Sequence, residues 1–254
     1  MKAPALTLCL IFAAGHAAAD ETLLFTTESY PPFIIQEAAR PVRGISVDQI
    51  RGIMEGSGMD YRIEVMPWAR AIALAETQPA TCVFSAAQTP ERTARFKWVM
   101  PLAKSQSILV KHSNAGVAAK TIDEAKAFTV GTHRSDYTET VLQKLKFSKI
   151  DISSTFDVTL AKLLSDRIDL MPMSQDVYDQ LHKRGVEIEK VAKLTEQSLG
   201  IACNRTVAWQ TIKSLQGKLD RMIADGTQAR IYRAHGLEPP INEMAKTLKQ
   251  AQGG

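Results

Sequence analysis

The segment Thr89-Pro-Glu-Arg92 contains side chains that could bind a charged group. It follows an apolar stretch that is typical of a strand, and a helix that begins after a strand presents free backbone N–H groups to an anion. Arg92 would add a guanidinium fork that fits a carboxylate, and Ser85 would add a hydroxyl nearby. A capped helix start, with threonine as the cap and proline in the first turn, explains the same segment without a ligand. Both interpretations therefore stay open.

Aromatic residues occupy two other positions at the ends of predicted elements. Tyr30-Pro-Pro-Phe33 is a rigid turn after a predicted strand, and Trp68 directly follows Pro67 at a predicted helix start. Tyr30 and Trp68 could form the walls of a binding site, or they could pack in the core. Neither aromatic residue decides between these roles on its own.

The spacing of the apolar residues predicts an alternating α/β scaffold around these segments. Period-two alternation and short apolar runs predict strands, and apolar stripes at helical spacing predict helices. In the first part of the chain the predicted strands are 23–27, 61–65 and 81–86, with helices beginning at Ser46 and Pro67. In the second part the predicted strands are 105–111, 128–130, 150–153, 168–171 and 198–203, with helices 122–126, 137–146, 157–165 and 174–184. Two last helices, 206–224 and 227–235, follow two α/β units.

The composition is that of a folded globular chain. Its 254 residues are 45% hydrophobic and 23% charged, which excludes disordered, collagen-like and coiled-coil proteins. The net charge is +4 and no run of five basic residues occurs, so nucleic acid is not an expected partner. The spacings of histidine and cysteine match no zinc site. We therefore predict neither a metal nor a cofactor.

Residues 1–19 have the three parts of a secretory signal peptide. Lys2 gives a positive start, Ala5–Ala14 is apolar, and Ala17-Ala-Ala19 offers a cleavage site before Asp20. The apolar run is too short to cross a bilayer. A buried N-terminal helix is the alternative interpretation. We expect a soluble mature chain that is exported from the cytoplasm.

Two cysteines remain after this expected cleavage, Cys82 and Cys203. Both lie in apolar segments with the character of strands. An oxidising compartment permits a disulfide between them, but two buried free thiols explain the sequence equally well. The sequence leaves these alternatives open.

Taken together and in order, these segments resemble the bacterial extracellular solute-binding proteins of family 3, which bind polar amino acids in the periplasm. The resemblance covers residues 22–236. It is specific because several motifs occur in the same order along one chain. The matching segments are Tyr30-Pro-Pro-Phe33, Gly44-Ile-Ser-Val-Asp48, Pro67-Trp68, Thr89-Pro-Glu-Arg92 with Phe96, Val130-Gly131, Arg167-Ile-Asp169, and Ala224-Asp-Gly-Thr227 with Ile231-Tyr232.

This resemblance implies an α/β fold of the periplasmic binding protein type II, with two lobes joined by two hinge crossings. Lobe 1 would comprise residues 20–110 and the C-terminal helices in residues 204–245. Lobe 2 would comprise residues 111–203, and residues 246–254 would form a flexible tail. In such proteins the lobes close on a ligand held between them.

The resemblance also implies roles for individual residues. Arg92 would grip a ligand carboxylate, and the groups just before it, at Ser85 and Ala87, would assist. Tyr30 and Trp68 would be aromatic walls of the cleft. The loop after the Val-Gly strand would face the ligand from lobe 2. Its residues are Arg134, Ser135, Asp136 and Tyr137.

One position departs from the family pattern. Amino-acid binders of this family place an acidic residue in lobe 2, where it pairs with the ligand ammonium, and the equivalent position here is Ser174. Glu28 or Asp176 could supply the missing negative charge, although Glu28 could equally face solvent. The ligand implied is therefore an amino acid or another small carboxylate.

The function implied by the resemblance is that of a non-enzymatic, monomeric binding protein in the periplasm, which delivers its solute to an inner-membrane ABC permease. A first alternative is a dehydratase on the same fold, with Glu28 as the acid that assists an elimination. A second alternative is a partner that presents the ligand to a membrane sensor. Nothing in the residues separates this second alternative from transport.

Overall fold

The computed structural model describes residues 22–239. The expected signal peptide at 1–19 and the expected tail at 246–254 lie outside the described residues. Within 22–239, no helix is both long and apolar enough to cross a membrane.

The first lobe is built from alternating strands and helices, as the periodicity predicts. The strands β1 (Leu23–Thr27), β2 (Tyr61–Val65) and β3 (Thr81–Ala87) are parallel, with β1 between the other two. The helices α1 (Ile45–Met54) and α2 (Trp68–Thr77) connect them, and the single turn α3 (Pro90–Thr93) follows β3. Pro67, predicted as the first helical residue, is instead the cap before α2.

The second lobe follows a long strand, β4 (Lys97–His112). Its elements are, in order, α4 (Ile122–Ala125), β5 (Val130–His133), α5 (Tyr137–Lys144), β6 (Ile150–Ser153), α6 (Phe156–Leu164), β7 (Met171–Ser174) and α7 (Gln175–Lys183). β5 and β7 begin later than predicted because Thr129 and Asp169 already bond to each other before the strands start. β5 also ends later than predicted, at His133.

The chain returns through a second long strand, β8 (Ile188–Cys203), and ends in α8 (Trp209–Ala224) and α9 (Thr227–Ala234). The start of α8 was predicted at Thr206. The helix begins later because the Asn204 side chain accepts hydrogen bonds from the Thr206 N–H and hydroxyl groups and holds a turn there. α8 packs on α1 and β4, so the C-terminal helices complete the first lobe.

Two antiparallel strands, β4 and β8, connect the lobes. They lie together in a six-stranded sheet of order β2-β1-β3-β8-β4-β7. β3 pairs with the C-terminal part of β8, and β7 pairs with the C-terminal part of β4. Both connecting strands run without a break from one lobe to the other, so neither strand marks where a lobe ends. The lobe boundaries at 110/111 and 203/204 therefore stay predictions.

The structure contains a disulfide between Cys82 and Cys203. Cys82 of β3 and Cys203 of β8 are direct neighbours in the antiparallel ladder, and their sulfur atoms are bonded. Both cysteines are fully buried. The bond closes a loop with a sequence separation of 121 residues and fixes the strand that leads to Arg92 against one of the two connecting strands.

Candidate functional site

A cavity lies between the lobes, at the ends of β1, β3 and β5. It encloses about 680 Å³, which includes the space open to solvent. Most of the residues predicted for the site line it, namely Glu28, Tyr30, Trp68, Ser85, Ala87, Arg92, Asp136, Tyr137 and Ser174. The sequence therefore identified much of the lining of this cavity.

Arg92 reaches across the cleft from the first lobe. Its side chain is buried, with 5% of the residue exposed. One guanidinium nitrogen, Nη1, donates to the carbonyl of Ala87 at 3.2 Å, and the other, Nη2, donates to the carbonyl of Ser135 in the second lobe at 2.7 Å. Arg92 forms no ion pair with a carboxylate of residues 22–239. Burial lowers the pKa of Arg92, and nearby Asp136 opposes this effect.

The turn that carries Arg92 differs from the predicted capped helix. Thr89 precedes α3, but its side chain makes no capping hydrogen bond. The α3 turn has only four residues. Arg92 is positioned by its two carbonyl partners and by the Trp68 ring, whose centroid is 5.5 Å from the guanidinium carbon. Cation–π stacking of this kind holds a guanidinium flat against an aromatic face.

Ser135 contributes to the site through its backbone. It has a left-handed conformation, with φ 62°, and its carbonyl accepts from both Arg92 and the Trp68 indole, the latter at 2.9 Å. Ser135 does not line the cavity itself. Trp68, which is 3% exposed, is therefore both a wall of the cavity and a link between the lobes.

Ser85 and Ala87 lie where β3 approaches the cavity. The pairing of β3 with β8 is interrupted between Phe84 and Ala86, and Ser85 in this interruption has φ 58°. The Ser85 hydroxyl donates to the Ser46 hydroxyl at 2.8 Å. The Ala87 carbonyl thus bonds to Arg92, and Ser85 lines the same cavity with its hydroxyl bonded to Ser46.

A second group of charges faces the cavity beside Arg92. The Glu28 carboxylate lies 3.1 Å from Nε2 of His133 in the second lobe, and an Asp136 oxygen lies 3.9 Å from the same nitrogen. Burial raises the pKa of Glu28, and its hydrogen bond to His133 opposes the rise. Burial lowers the pKa of His133, but Asp136 and Glu28 outweigh it and the pKa rises to about 9. The imidazole is therefore held protonated between two carboxyl groups.

Tyr30 and Ser174 form a further contact between the lobes. The Tyr30 hydroxyl accepts from the backbone N–H of Ser174 at 2.9 Å. The Ser174 side chain caps α7 by accepting from the N–H of Val177. The serine at the family's acidic position therefore has a structural role in this chain. The Tyr30 ring packs edge-on against Phe156, with centroids 4.7 Å apart.

Two further residues considered for the site, like Ser135, lie outside the cavity lining. Arg134 is exposed, and Asp176, in the first turn of α7, does not line the cavity. Burial raises the pKa of Asp176, and neighbouring Asp179 adds to the rise. Of the two acids considered as replacements for the missing lobe 2 carboxylate, Glu28 is the one at the cavity.

The sequence prediction missed several lining residues. His133 is the most important of them, and it lies directly before the predicted loop 134–137. Extending the strand before that loop by three residues would have identified it. Apart from Phe33, which belongs to the Tyr30-Pro-Pro-Phe33 segment, the other missed residues carry no motif, because they come from separate parts of the chain. With Phe33 included, they are Thr27, Phe33, Ile34, Ser105, Ser107, Thr138, Phe156, Pro172, Met173 and Leu199.

The arrangement can bind an anion at Arg92 and a cation at the Glu28 and Asp136 carboxyl groups. No group of three or more metal-ligating side chains occurs in the described part of the chain. The geometry is therefore that of a binding site for a small charged molecule enclosed by both lobes.

Solved structures of similar fold support this description. ArtJ, an arginine-, lysine- and histidine-binding protein of Geobacillus stearothermophilus, has 18% sequence identity and a TM-score of 0.78, over 86% of this chain and 97% of that chain. An ancestral arginine-binding protein bound to arginine has 19% identity and a TM-score of 0.76, over 84% and 97%. A histidine kinase sensor domain with similarity to periplasmic binding proteins has 16% identity and a TM-score of 0.77, over 86% and 98%. These identities show the fold alone, and they confirm the type II periplasmic binding fold.

Curated protein sequences gave no match to this chain. The family model for bacterial extracellular solute-binding proteins, family 3, matches residues 23–238. The match agrees with the ordered motifs of the sequence. The chain belongs to the bacterial extracellular solute-binding proteins, family 3.

Proposed function

We propose that this solute-binding protein captures a small carboxylate-bearing solute, an amino acid or a related compound, in the periplasm and delivers it to an inner-membrane ABC permease. The observation that carries the proposal is Arg92. Its guanidinium lines the cavity and contacts both lobes, and its hydrogen-bond partners among residues 22–239 are both carbonyl groups. A ligand carboxylate would be a stronger partner than a carbonyl, because it carries a full negative charge and can accept two parallel hydrogen bonds from the guanidinium.

The contacts between the lobes explain how a ligand could drive closure. Several hydrogen bonds of the described residues join the lobes around the cavity, among them two to the Ser135 carbonyl, one between Tyr30 and Ser174, and one between Glu28 and His133. A ligand shifts an open–closed equilibrium only if it binds the two states differently. A molecule in this cavity would touch residues of both lobes and so would favour the closed state.

The proposed role as an amino-acid carrier also draws on the structural neighbours. ArtJ and the ancestral protein are named as binders of arginine. An amino acid needs an anion-binding group for its carboxylate and an acceptor for its ammonium. Arg92 would serve the first need, and the Glu28 and Asp136 carboxyl groups would serve the second.

A thermal-shift screen followed by calorimetry tests the proposal. The chain without residues 1–19 is screened against amino acids, dicarboxylates and short peptides. At a ligand concentration of about 100 times Kd, binding stabilises the protein by about 2.7 kcal/mol. We expect at least one of these carboxylates to raise the melting temperature, and Arg92→Ala to weaken its binding by at least about 100-fold.

Arg134→Ala is the matched control, because Arg134 is an exposed arginine outside the cavity. It should bind the same ligand with unchanged Kd. Unchanged affinity in a folded Arg92→Ala variant would contradict the proposal.

A sensory role is the second candidate, because a histidine kinase sensor domain is among the structural neighbours. In that role the closed form would contact a membrane receptor. Capture of membrane proteins from the native cell by the ligand-bound protein separates the two roles. A permease among the captured proteins supports transport, and a sensor kinase supports signalling.

An enzymatic role has one specific observation in its favour. Glu28 is a carboxyl group with a pKa raised by burial, and it lies in the same cavity as Arg92. An acid-assisted elimination needs such a group. Incubation with prephenate and arogenate measures this activity directly, and turnover that is lost in Glu28→Gln would favour the dehydratase role over simple binding.

A further inference from the structure

The charges that line the cavity are balanced. Among residues 22–239 the lining contains two basic side chains, Arg92 and His133, and two acidic ones, Glu28 and Asp136. Both acids face the same imidazole, at 3.1 and 3.9 Å. Arg92 forms no ion pair with a carboxylate in the part of the chain that the structure describes. The cavity therefore presents one unpaired cation and, beside it, one imidazolium shared by two carboxyl groups.

This arrangement offers one place for each end of a zwitterion. A ligand carboxylate can pair with Arg92. A ligand ammonium can use the Asp136 oxygen that lies 3.9 Å from His133, since the other Asp136 oxygen accepts from the N–H and hydroxyl of Thr138. Glu28 has a further carboxylate oxygen beyond the one bonded to His133. After both pairings, no lining charge of the described chain is left for another ionic group.

The uncharged lining combines an apolar part with hydroxyl groups, of which those of Thr27, Ser85 and Ser107 bond within the protein. Phe33 is 3% exposed, Ile34 1%, Phe156 4% and Met173 2%, and Leu199 lies with them on the lining. The Tyr30 ring packs against Phe33 and Phe156, which makes one face of the cavity aromatic. A ligand side chain that extends away from the charged groups would contact these apolar side chains.

We infer that the site selects neutral amino acids with an apolar side chain, and that it discriminates against amino acids whose side chain carries a charge of either sign. This inference rests on the proposed function and names the class of its ligand. A guanidinium or ammonium on the side chain would be buried near His133, where the ligand ammonium already balances the one net negative charge of Glu28, Asp136 and His133. A side-chain carboxylate would be buried without a second free cation. An unpaired charge in such surroundings is strongly unfavourable.

Isothermal titration calorimetry on the chain without residues 1–19 tests the inference with a fixed panel. The probes are leucine, phenylalanine, arginine, lysine and glutamate. We expect leucine or phenylalanine to bind at least 100-fold more tightly than the three charged amino acids. Removing the ammonium, as in 3-phenylpropanoate, should weaken binding at least tenfold relative to phenylalanine.

The outcomes distinguish this inference from the proposed function. Tighter binding of arginine, lysine or glutamate than of leucine and phenylalanine overturns the inference and leaves the proposed function standing. Failure of every probe, together with every carboxylate of the thermal-shift screen, overturns both. Equal affinity for phenylalanine and 3-phenylpropanoate overturns the assignment of the ammonium to Glu28 and Asp136.

A charge-changing variant gives an independent readout. Glu28→Gln keeps the shape of the side chain and makes the cavity one charge more positive, so the ratio of the glutamate Kd to the leucine Kd should fall at least tenfold. Asp176→Asn removes an acid outside the cavity and should leave this ratio unchanged. An unchanged ratio in a folded Glu28→Gln protein, shown by its circular dichroism spectrum, would overturn the inference.

Discussion

The two lobes contribute to the cavity in different ways. The first lobe supplies Arg92 on a turn that follows β3, a strand joined to β8 by the Cys82–Cys203 disulfide. The second lobe supplies a backbone carbonyl at Ser135 and a protonated imidazole at His133. The first-lobe face is thus covalently braced, whereas the second-lobe contacts are hydrogen bonds that closure can make and break. We propose that the first lobe holds the ligand and that the second lobe closes over it.

Loss of the Cys82–Cys203 disulfide in the first lobe has the largest expected effect on stability. Replacing both cysteines, Cys82→Ala with Cys203→Ala, removes a bond that closes a loop of 121 residues in sequence separation. Such a loss costs about 2–5 kcal/mol of unfolding free energy. Urea denaturation of the variant and the parent protein measures the difference. A loss below about 1 kcal/mol would contradict the view that the disulfide braces this lobe.

The contact of the second lobe at His133 predicts a pH dependence. His133 is faced by Glu28, Asp136 and Arg92 and packs against Phe156. Because its pKa is raised from 6.5 to about 9, its contribution is fully present below about pH 6.5 and is lost as the pH rises through 9. The shift corresponds to roughly 3 kcal/mol. A closed protein should therefore be less stable at pH 10 than at pH 6.

The variant His133→Gln isolates this contribution from other groups that titrate above pH 9. The difference in unfolding free energy between parent and variant should be largest at or below pH 6.5 and should shrink toward pH 10. A difference that is constant across this range would show that His133 is not protonated in the closed form.

The link between the lobes through Trp68 has a smaller expected effect. Trp68→Phe keeps an aromatic ring near Arg92 but removes the indole N–H that donates to Ser135. Loss of one hydrogen bond costs about 1 kcal/mol, so ligand affinity should fall about fivefold. Trp209→Phe is the matched control, because 61% of Trp209 is exposed. Equal affinities of the two variants, measured by calorimetry, would contradict the role of the indole.

The ion pair between Lys144 and Glu91 has the smallest expected effect. It also joins the two lobes, but its side chains are 63% and 44% exposed. Exposed ion pairs contribute little because water and salt screen them. Lys144→Ala should change the ligand Kd by less than about twofold in 150 mM salt. A larger change in Kd would show that this surface ion pair contributes to the free energy of closure.

The comparison of the lobes also shows what the sequence could predict. The first-lobe face follows from local signals, since Ser85, Ala87 and Arg92 lie within one strand and the turn after it. Amphipathic periodicity identified most of the helices and the strands beside them. Tyr30 lies in a rigid proline turn, but its place in the cleft was implied by the family resemblance.

The second-lobe face depends on tertiary structure and was less predictable. The contact between Glu28 and His133 joins residues 105 positions apart, and no local pattern encodes such a pairing. The role of Ser135 lies in a backbone carbonyl that a left-handed residue turns toward Arg92, which side-chain chemistry does not reveal. The disulfide required the register of β3 against β8, which the sequence alone left open.

The most direct test is a crystal structure of the chain without residues 1–19, grown with the amino acid that gives the largest thermal shift. We predict that the ligand carboxylate lies between the lobes, with both oxygens about 2.7–2.9 Å from the guanidinium nitrogens of Arg92. A ligand whose carboxylate is bound by other groups, while Arg92 keeps only its two carbonyl partners, would contradict the account.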